Sequence, residues 1–206
     1  MKIKTCGLWR AQDIEYANAL KPDFIGFVFA QSKREVSLQQ AKVLKKNLDS
    51  QIKAVGVFVG CENARILEAL REGIIDCVQI HNVPFEEMRA LRDCLKCDFP
   101  HTTIIEARKA QNLEVLLTPC VADFLLLDSL HSGSGKRFDW ALLEEAKKAG
   151  FKEEFFLAGG IDSQNLDEAM ALKPYAIDIS SGIESQGVKN FAKMQEVIAR
   201  VRAWQE

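Results

Sequence analysis

Residues Glu154 to Ile183 read EFFLAGGIDSQNLDEAMALKPYAIDISSGI. Glu154–Ala158 is a short apolar run of strand character, Ser163–Leu172 an amphipathic helical stretch, and Ala176–Ser180 a second apolar strand. Each strand runs into a glycine-bearing turn, Gly159-Gly160 in the first case and Ser181-Gly182 in the second. Two strands joined through a helix lie parallel in one sheet. This stretch is therefore one strand–helix–strand crossover, and the rest of the chain can be tested for repeats of it.

The same punctuation recurs upstream. Further strands are expected at Lys2–Cys6, Phe24–Phe29, Ala54–Val59, Cys77–Ile80, Thr102–Glu106 and Phe124–Asp128. Further helices are expected at about Ile14–Leu20, Leu38–Leu48, Ala64–Glu72, Phe85–Leu95, Gln111–Leu117, Trp140–Ala149 and Ala192–Trp204. The 206 residues thus divide into eight β/α units of about 26 residues each. The fifth unit is the weakest, because Lys109–Val115 makes a poor helix. Strict alternation implies a parallel sheet covered by helices. Eight units allow closure, so the expected fold is α/β, a single (β/α)8 TIM barrel domain spanning residues 1–206. The rival is a doubly wound open sheet. Its dinucleotide-binding form needs G-x-G-x-x-G after the first strand, where this chain has Cys6-Gly7-Leu8-Trp9. No linker, low-complexity tract or second domain is visible.

Composition narrows the function. Hydrophobic residues make up 48% and charged residues 27%, with a formal net charge of -2. No basic excess points to nucleic acid or to an anionic membrane surface. No run approaches the roughly 18 apolar residues of a membrane span. Met1-Lys2-Ile3-Lys4 leads straight into a strand without an export signal. The six cysteines are irregularly spaced, so free thiols in a cytoplasmic protein are expected. A small phosphorylated ligand needs only a local positive site and is compatible with this balance.

In barrels of this kind the chemistry sits at the C-terminal ends of the strands. Glycine permits close backbone approach, and successive free N–H groups bind a phosphate dianion. Either glycine turn alone reads as a tight turn. The pair on the last two strands points to a phosphate grip at Gly159, Gly160, Ser181 and Gly182. Ile183-Glu184-Ser185 is expected to begin a short extra helix aimed at that grip. Cys6 ends the first strand and Asp128 the sixth, both where a barrel displays reactive groups. Period-2 alternation puts Lys4 on the same face as Cys6, where an ammonium would favour a thiolate whose ordinary pKa is about 8.5. Read singly, Cys6 is also a small buried hydrophobe, and Asp128 a loop-bracing carboxylate.

Several stretches carry a resemblance. Lys4-Thr5-Cys6-Gly7 resembles the K-x-C-G opening of the phosphoribosylanthranilate isomerases. Gly26-Phe27-Val28-Phe29 with Ser32-Lys33-Arg34 resembles that family's second unit, Val55–Val59 its third strand, and Val78-Gln79-Ile80-His81 its V-Q-L-H. Leu126-Leu127-Asp128 with Gly133–Trp140, Leu157–Gly160 and Asp178–Glu184 resemble the last three units. The resemblance covers essentially the whole chain.

It implies a barrel of the ribulose-phosphate-binding type and an isomerase of tryptophan biosynthesis. The reaction would be the Amadori rearrangement of N-(5-phosphoribosyl)anthranilate to 1-(2-carboxyphenylamino)-1-deoxyribulose 5-phosphate. Cys6 would be the general base and Asp128 the general acid. Arg34 would face the anthranilate carboxylate, to which a guanidinium can give two parallel hydrogen bonds. Asp178 would lie near the sugar; its alternative is bracing of the Ser180–Gly182 turn. No cofactor is implied, and the partners are limited to the sugar-phosphate substrate, with a monomer or a homodimer both compatible. Related barrels are the alternatives. A histidine-pathway aminoaldose isomerase would need Asp where Cys6 stands, and indoleglycerol-phosphate synthase would need lysine and glutamate at other strand ends. A barrel that only binds phosphate ligands would need neither Cys6 nor Asp128.

The chain departs from the family pattern in places. Ser132 replaces the first glycine of G-G-[ST]-G, Trp9 replaces a small or polar residue, and prolines are missing at Ala30-Gln31 and in the loop after Gly160. Cys94-Leu95-Lys96-Cys97 is a lone C-x-x-C without a second pair. His81, His101 and His131 form no ligand set, although His131 lies close to Asp128 in sequence. Trp204 reads as a packing residue.

Overall fold

The computed structural model describes residues 1–60, 62–129 and 138–204. The sequence element Gly133–Arg137, with Ser132, His131 and Cys61, lies outside the described residues. Eight strands, β1 (Lys2–Cys6), β2 (Phe24–Val28), β3 (Lys53–Val59), β4 (Cys77–His81), β5 (Thr103–Lys109), β6 (Phe124–Asp128), β7 (Phe155–Leu157) and β8 (Ala176–Ile179), follow one another in chain order and close into a barrel. The helices alternate with them: α1 (Ala11–Leu20), α2 (Leu38–Lys46), α3 (Asn63–Arg71), α4 (Phe85–Asp98), α5 (Leu113–Leu117), α6 (Ala141–Lys148), α7 (Leu166–Ala171) and α8 (Phe191–Ala203). The expected β/α barrel is thus the observed one.

By internal contact the chain divides into two compact units, Thr5–Glu106 with Val121–Asp123, and Met1–Lys4 with Ala107–Cys120 and Phe124–Glu206. In the first, β2, β3 and β4 pair in parallel, with Gly26 opposite Val55, Val57 opposite Gln79 and Val59 opposite His81. One sheet face carries Ile25, Phe27, Ala54, Phe58, Val78 and Ile80. These pack with Ile14, Ala17, Ala41, Leu44, Ile66, Ala69, Met88 and Leu91 of the helices. Alternation therefore commits the other face to Gly26, Val57, Gln79 and His81. In the second unit, β6, β7 and β8 pair in parallel, with Leu126 opposite Phe156 and Leu157 opposite Ile177.

Helix ends depart from expectation for local reasons. α1 begins at Ala11, three residues early, because the buried Asp13 carboxylate accepts from the Trp9 and Arg10 backbone N–H groups and from the Arg10 side chain. α7 begins three residues late, because Asp162 Oδ1 accepts from the N–H groups of Gln164 and Asn165 and holds those residues in a turn. The weak fifth helix is a five-residue segment, with β5 extended as far as Lys109. Ile183-Glu184-Ser185 does not begin a helix. Ser181–Ile183 is a single 3₁₀ turn, and β9 (Glu184–Ser185) then pairs antiparallel with β10 (Val188–Lys189). The two residues between them, Gln186 and Gly187, both have positive φ, the backbone that a two-residue hairpin turn requires. Among the described residues no helix is long and apolar enough to cross a membrane.

Phe58 is fully buried and stacks on Phe29 at 5.0 Å between ring centroids. Phe58→Ala should therefore lower unfolding free energy by about 3–5 kcal/mol, read as a shifted urea midpoint at unchanged slope.

Candidate active site

In the first unit the chain leaves β1 through a turn tied to β2: the N–H groups of Gly7 and Leu8 both donate to the Gly26 carbonyl, at 2.9 and 3.1 Å. Gly26 faces the thiol, and a Cβ there would lie 2.7 Å from Cys6 Sγ. The Arg34 stem lies across Gly7, so that a Cβ at Gly7 would overlap Arg34 Cδ. The Arg34 N–H donates to Ser32 Oγ at 3.1 Å, and the Val36 N–H donates to the Val28 carbonyl at 2.9 Å, which folds the loop back along β2. Arg34 is buried as a result, at 8% exposure. The structure thus brings the Arg34 stem against the turn that follows Cys6.

β4 adds two polar groups to which the sequence reading gave no role. Gln79 and His81 alternate on the inward face and contact each other at 2.8 Å between Gln79 Nε2 and His81 Nε2. Gln79 is 2% exposed, and among the described residues its Oε1 has no hydrogen-bond partner. It is an acceptor available to a ligand donor. The signal was present as polar residues at alternate positions near a strand's C-terminal end.

In the second unit β6 ends at Asp128, which is buried and accepts the Ser129 N–H at Oδ1, at 2.7 Å. Gly159 has φ of 85°, and a Cβ there would lie 2.8 Å from Asp128 Oδ1. The first glycine of the Gly-Gly turn therefore makes room for the carboxylate, in addition to any part in a phosphate grip. The next peptides are braced: Asn165 Nδ2 donates to the Gly160 carbonyl at 2.8 Å, and Asn165 Oδ1 accepts the Asp162 N–H at 3.0 Å. Gly182 meets this loop backbone to backbone. A Cβ there would overlap the Ile161 carbonyl oxygen and lie 2.8 Å from Asp162 Cα. The Gly159-Gly160 loop and the Ser181-Gly182 turn are therefore in contact.

Asp178, expected near the ligand or bracing the Ser180–Gly182 turn, forms an ion pair with Lys4 at 2.9 Å, with side-chain exposures of 7% and 0%. The Lys4 ammonium is thus engaged by a carboxylate. Among the other described cysteines, burial first and the neighbouring Asp76 second push the Cys77 thiol up to about 11, which leaves it protonated near neutrality. Cys94 and Cys97 are exposed and unpaired by disulfide. Among the described residues no group of three or more His, Cys, Asp or Glu could hold a metal ion.

Closed parallel β/α barrels with polar groups at the strand ends form a class of enzymes, and comparison with known proteins specifies which. The family model described as N-(5'phosphoribosyl)anthranilate (PRA) isomerase matches residues 3–200, and the chain belongs to that family of isomerases. An N-(5'-phosphoribosyl)anthranilate isomerase of Clostridium kluyveri is 40% identical over 205 residues, covering 98% of each chain. The crystal structure of the Thermus thermophilus phosphoribosyl anthranilate isomerase superposes with a TM-score of 0.81 at 30% identity, covering 98% of this chain and 99% of that one. A phosphoribosyl anthranilate isomerase solved in complex with reduced 1-(o-carboxyphenylamino)-1-deoxyribulose 5-phosphate has a TM-score of 0.78 at 26% identity, covering 99% of this chain and all of that one.

Removing one member of a buried ion pair leaves the other uncompensated, at a cost of about 3–5 kcal/mol. Lys4→Met should therefore lower stability by that amount in urea unfolding, and adding Asp178→Asn should recover part of the loss. A Lys4→Met protein as stable as wild type would contradict the pairing.

Proposed function

We propose that the chain catalyses the Amadori rearrangement of N-(5-phosphoribosyl)anthranilate, a step of tryptophan biosynthesis, with Cys6 as general base and Asp128 as general acid. One observation carries this reading. In a chain of this family, the residue ending β1 is a thiol and the residue ending β6 is a carboxylate, and each is seated against a glycine that leaves it room. A barrel that only bound phosphate would need neither group, and the histidine-pathway alternative would need Asp in place of Cys6.

Asp128 transfers a proton to the furanose ring oxygen. The C1–O bond breaks, and C1 and the anthranilate nitrogen become a protonated Schiff base. The Ser129 N–H donates to Oδ1 and holds the carboxyl in place. Cys6, as thiolate, then takes the C2 proton. The C2–H electron pair becomes the C1=C2 bond of an enolamine, and the iminium is the electron sink. Ketonisation moves a proton from the C2 hydroxyl to C1. C2 is oxidised and C1 reduced within one molecule, so the balance needs no cofactor.

Arg34 receives the anthranilate carboxylate. Its burial supports this, because an ion pair in a desolvated site is stronger than one in water. Asp178 accepts from sugar hydroxyls, with Lys4 paired to its Oδ2. Gly159, Gly160, Ser181 and Gly182 hold the phosphate, supported by the direct contact between their two loops. None of the described cysteines is in a disulfide, which supports a cytoplasmic location.

Positioned proton transfer contributes roughly 10²–10⁴-fold. Cys6→Ala and Asp128→Asn should each lower kcat by at least about a hundredfold in an assay following loss of substrate fluorescence, with inorganic phosphate still competing as in wild type. A Cys6→Ala enzyme of normal turnover would remove the base assignment. Arg34→Ala should weaken anthranilate-bearing ligands more than plain sugar phosphates. Equal weakening of both, measured as inhibition constants, would rule out the carboxylate role.

A further inference from the structure

The hairpin after β8 places two charges where the protein has almost no water. Lys189 on β10 is 3% exposed and Glu184 on β9 is 9% exposed. Lys189 Nζ lies 2.8 Å from Glu184 Oε1, 2.9 Å from the Ser180 carbonyl oxygen and 3.3 Å from Ser180 Oγ. An ammonium has three N–H donors, and three acceptors of the chain itself surround this one. With Glu184 compensating its charge, Lys189 is committed to the Ser180 turn and not to an external anion.

We propose that Lys189 is a positioning residue for the phosphate turn, holding the Ser180 carbonyl inward and so directing the Ser181 N–H outward to the ligand phosphate. The proposal rests on the reading of Ser181 and Gly182 as phosphate ligands. Its physical basis is the geometry of one peptide unit. In a trans peptide the carbonyl and the following N–H point in opposite directions, and the chain has no cis bonds among the described residues. Whatever fixes the Ser180 carbonyl therefore fixes the Ser181 N–H. Within the turn that carbonyl also accepts the Ile183 N–H, but at 3.4 Å, so the ammonium is the closer donor.

The hairpin supplies the rigidity that this role needs. The Asn190 N–H donates to the Ile183 carbonyl at 2.9 Å, Lys193 Nζ to the Glu184 carbonyl at 2.8 Å, and Asn190 Oδ1 accepts the Lys193 N–H at the start of α8. Lys189 is thus anchored on both sides, while Gly182 fits only because it has no side chain to meet the Ile161 carbonyl. One side of the turn is set by steric exclusion and the other by a buried charge.

The test compares wild type with Lys189→Arg and with the double variant Lys189→Met/Glu184→Gln, which removes both charges together and leaves neither buried alone. KM and kcat for phosphoribosylanthranilate, the inhibition constant of inorganic phosphate, the affinity of free anthranilate and the melting temperature are measured for each. The double variant, folded, should raise KM and the phosphate inhibition constant by at least about tenfold, with kcat within about threefold and anthranilate affinity unchanged. Lys189→Arg should fall between it and wild type. A brace without a positioning role would lower the melting temperature and leave the phosphate constant where it was.

Gly182→Ala tests the underlying reading separately. If it weakens phosphate binding and the folded double variant does not, the role of Lys189 is overturned and the phosphate turn stands. If inorganic phosphate does not compete even in wild type, the phosphate reading fails and the proposal fails with it. Should the double variant not fold, an unchanged phosphate constant in Lys189→Arg overturns the proposal.

Discussion

At Gly26 a methyl group would reach the Cys6 sulfur, and at Gly159 one would reach the Asp128 carboxylate. At Gly7 it would strike the Arg34 stem, and at Gly182 the backbone of the neighbouring loop. The constraint is the same at all four positions: the groups proposed for the chemistry sit where backbone approaches backbone or side chain more closely than any Cβ allows. Interiors are packed too densely to absorb an extra methyl at no cost. The glycines are therefore part of the placement of the proposed base and arginine in one unit and of the proposed acid in the other, and each placement depends on atoms that are missing.

A second constraint follows from crowding polar groups at strand ends. Charges withdrawn from water need compensation in place. Lys4 meets Asp178, Lys189 meets Glu184, and Asp13 gathers four N–H donors from Trp9 and Arg10. Each arrangement has a consequence beyond neutrality. Asp178 is presented at the end of β8, the Ser180 peptide is oriented, and α1 starts directly after the Cys6–Leu8 turn. Without its partner each of these groups would be expelled toward solvent or neutralised, and the loop above it would lose its shape.

The strands were legible because apolar runs bounded by glycine or charged residues have few other readings, and β1 and β6 fall where expected. The strand-end positions of Cys6 and Asp128 were legible as well, while Arg34 was singled out by resemblance and the two glycine turns by their place after the last two strands. Helix starts were not, because they depend on which carboxylate reaches back to an N–H: Asp13 lengthens α1, and Asp162 delays α7. The helix expected at Ile183–Ser185 is a hairpin, since its turn is Gln186-Gly187 in place of the usual Asn-Gly signal. The Glu184–Lys189 pair was invisible for a plainer reason. Two charges in a connecting segment read as solvated surface, and only the packing around them shows otherwise.

The pairing of Lys4 bears on how Cys6 would serve as the proposed base. Alternation along β1 suggested an ammonium serving the thiolate, yet Lys4 is paired with Asp178, and a compensated pair projects a weaker field than a lone cation. In the proposed reaction the protonated Schiff base is itself a cation at the carbon next to the one deprotonated. Its charge arises only after Asp128 has opened the ring, and it stabilises a thiolate and acidifies C2 at the same moment. On this account the acid step prepares the base step. The proposed base step then needs no charge from Lys4, whose observed partner is Asp178.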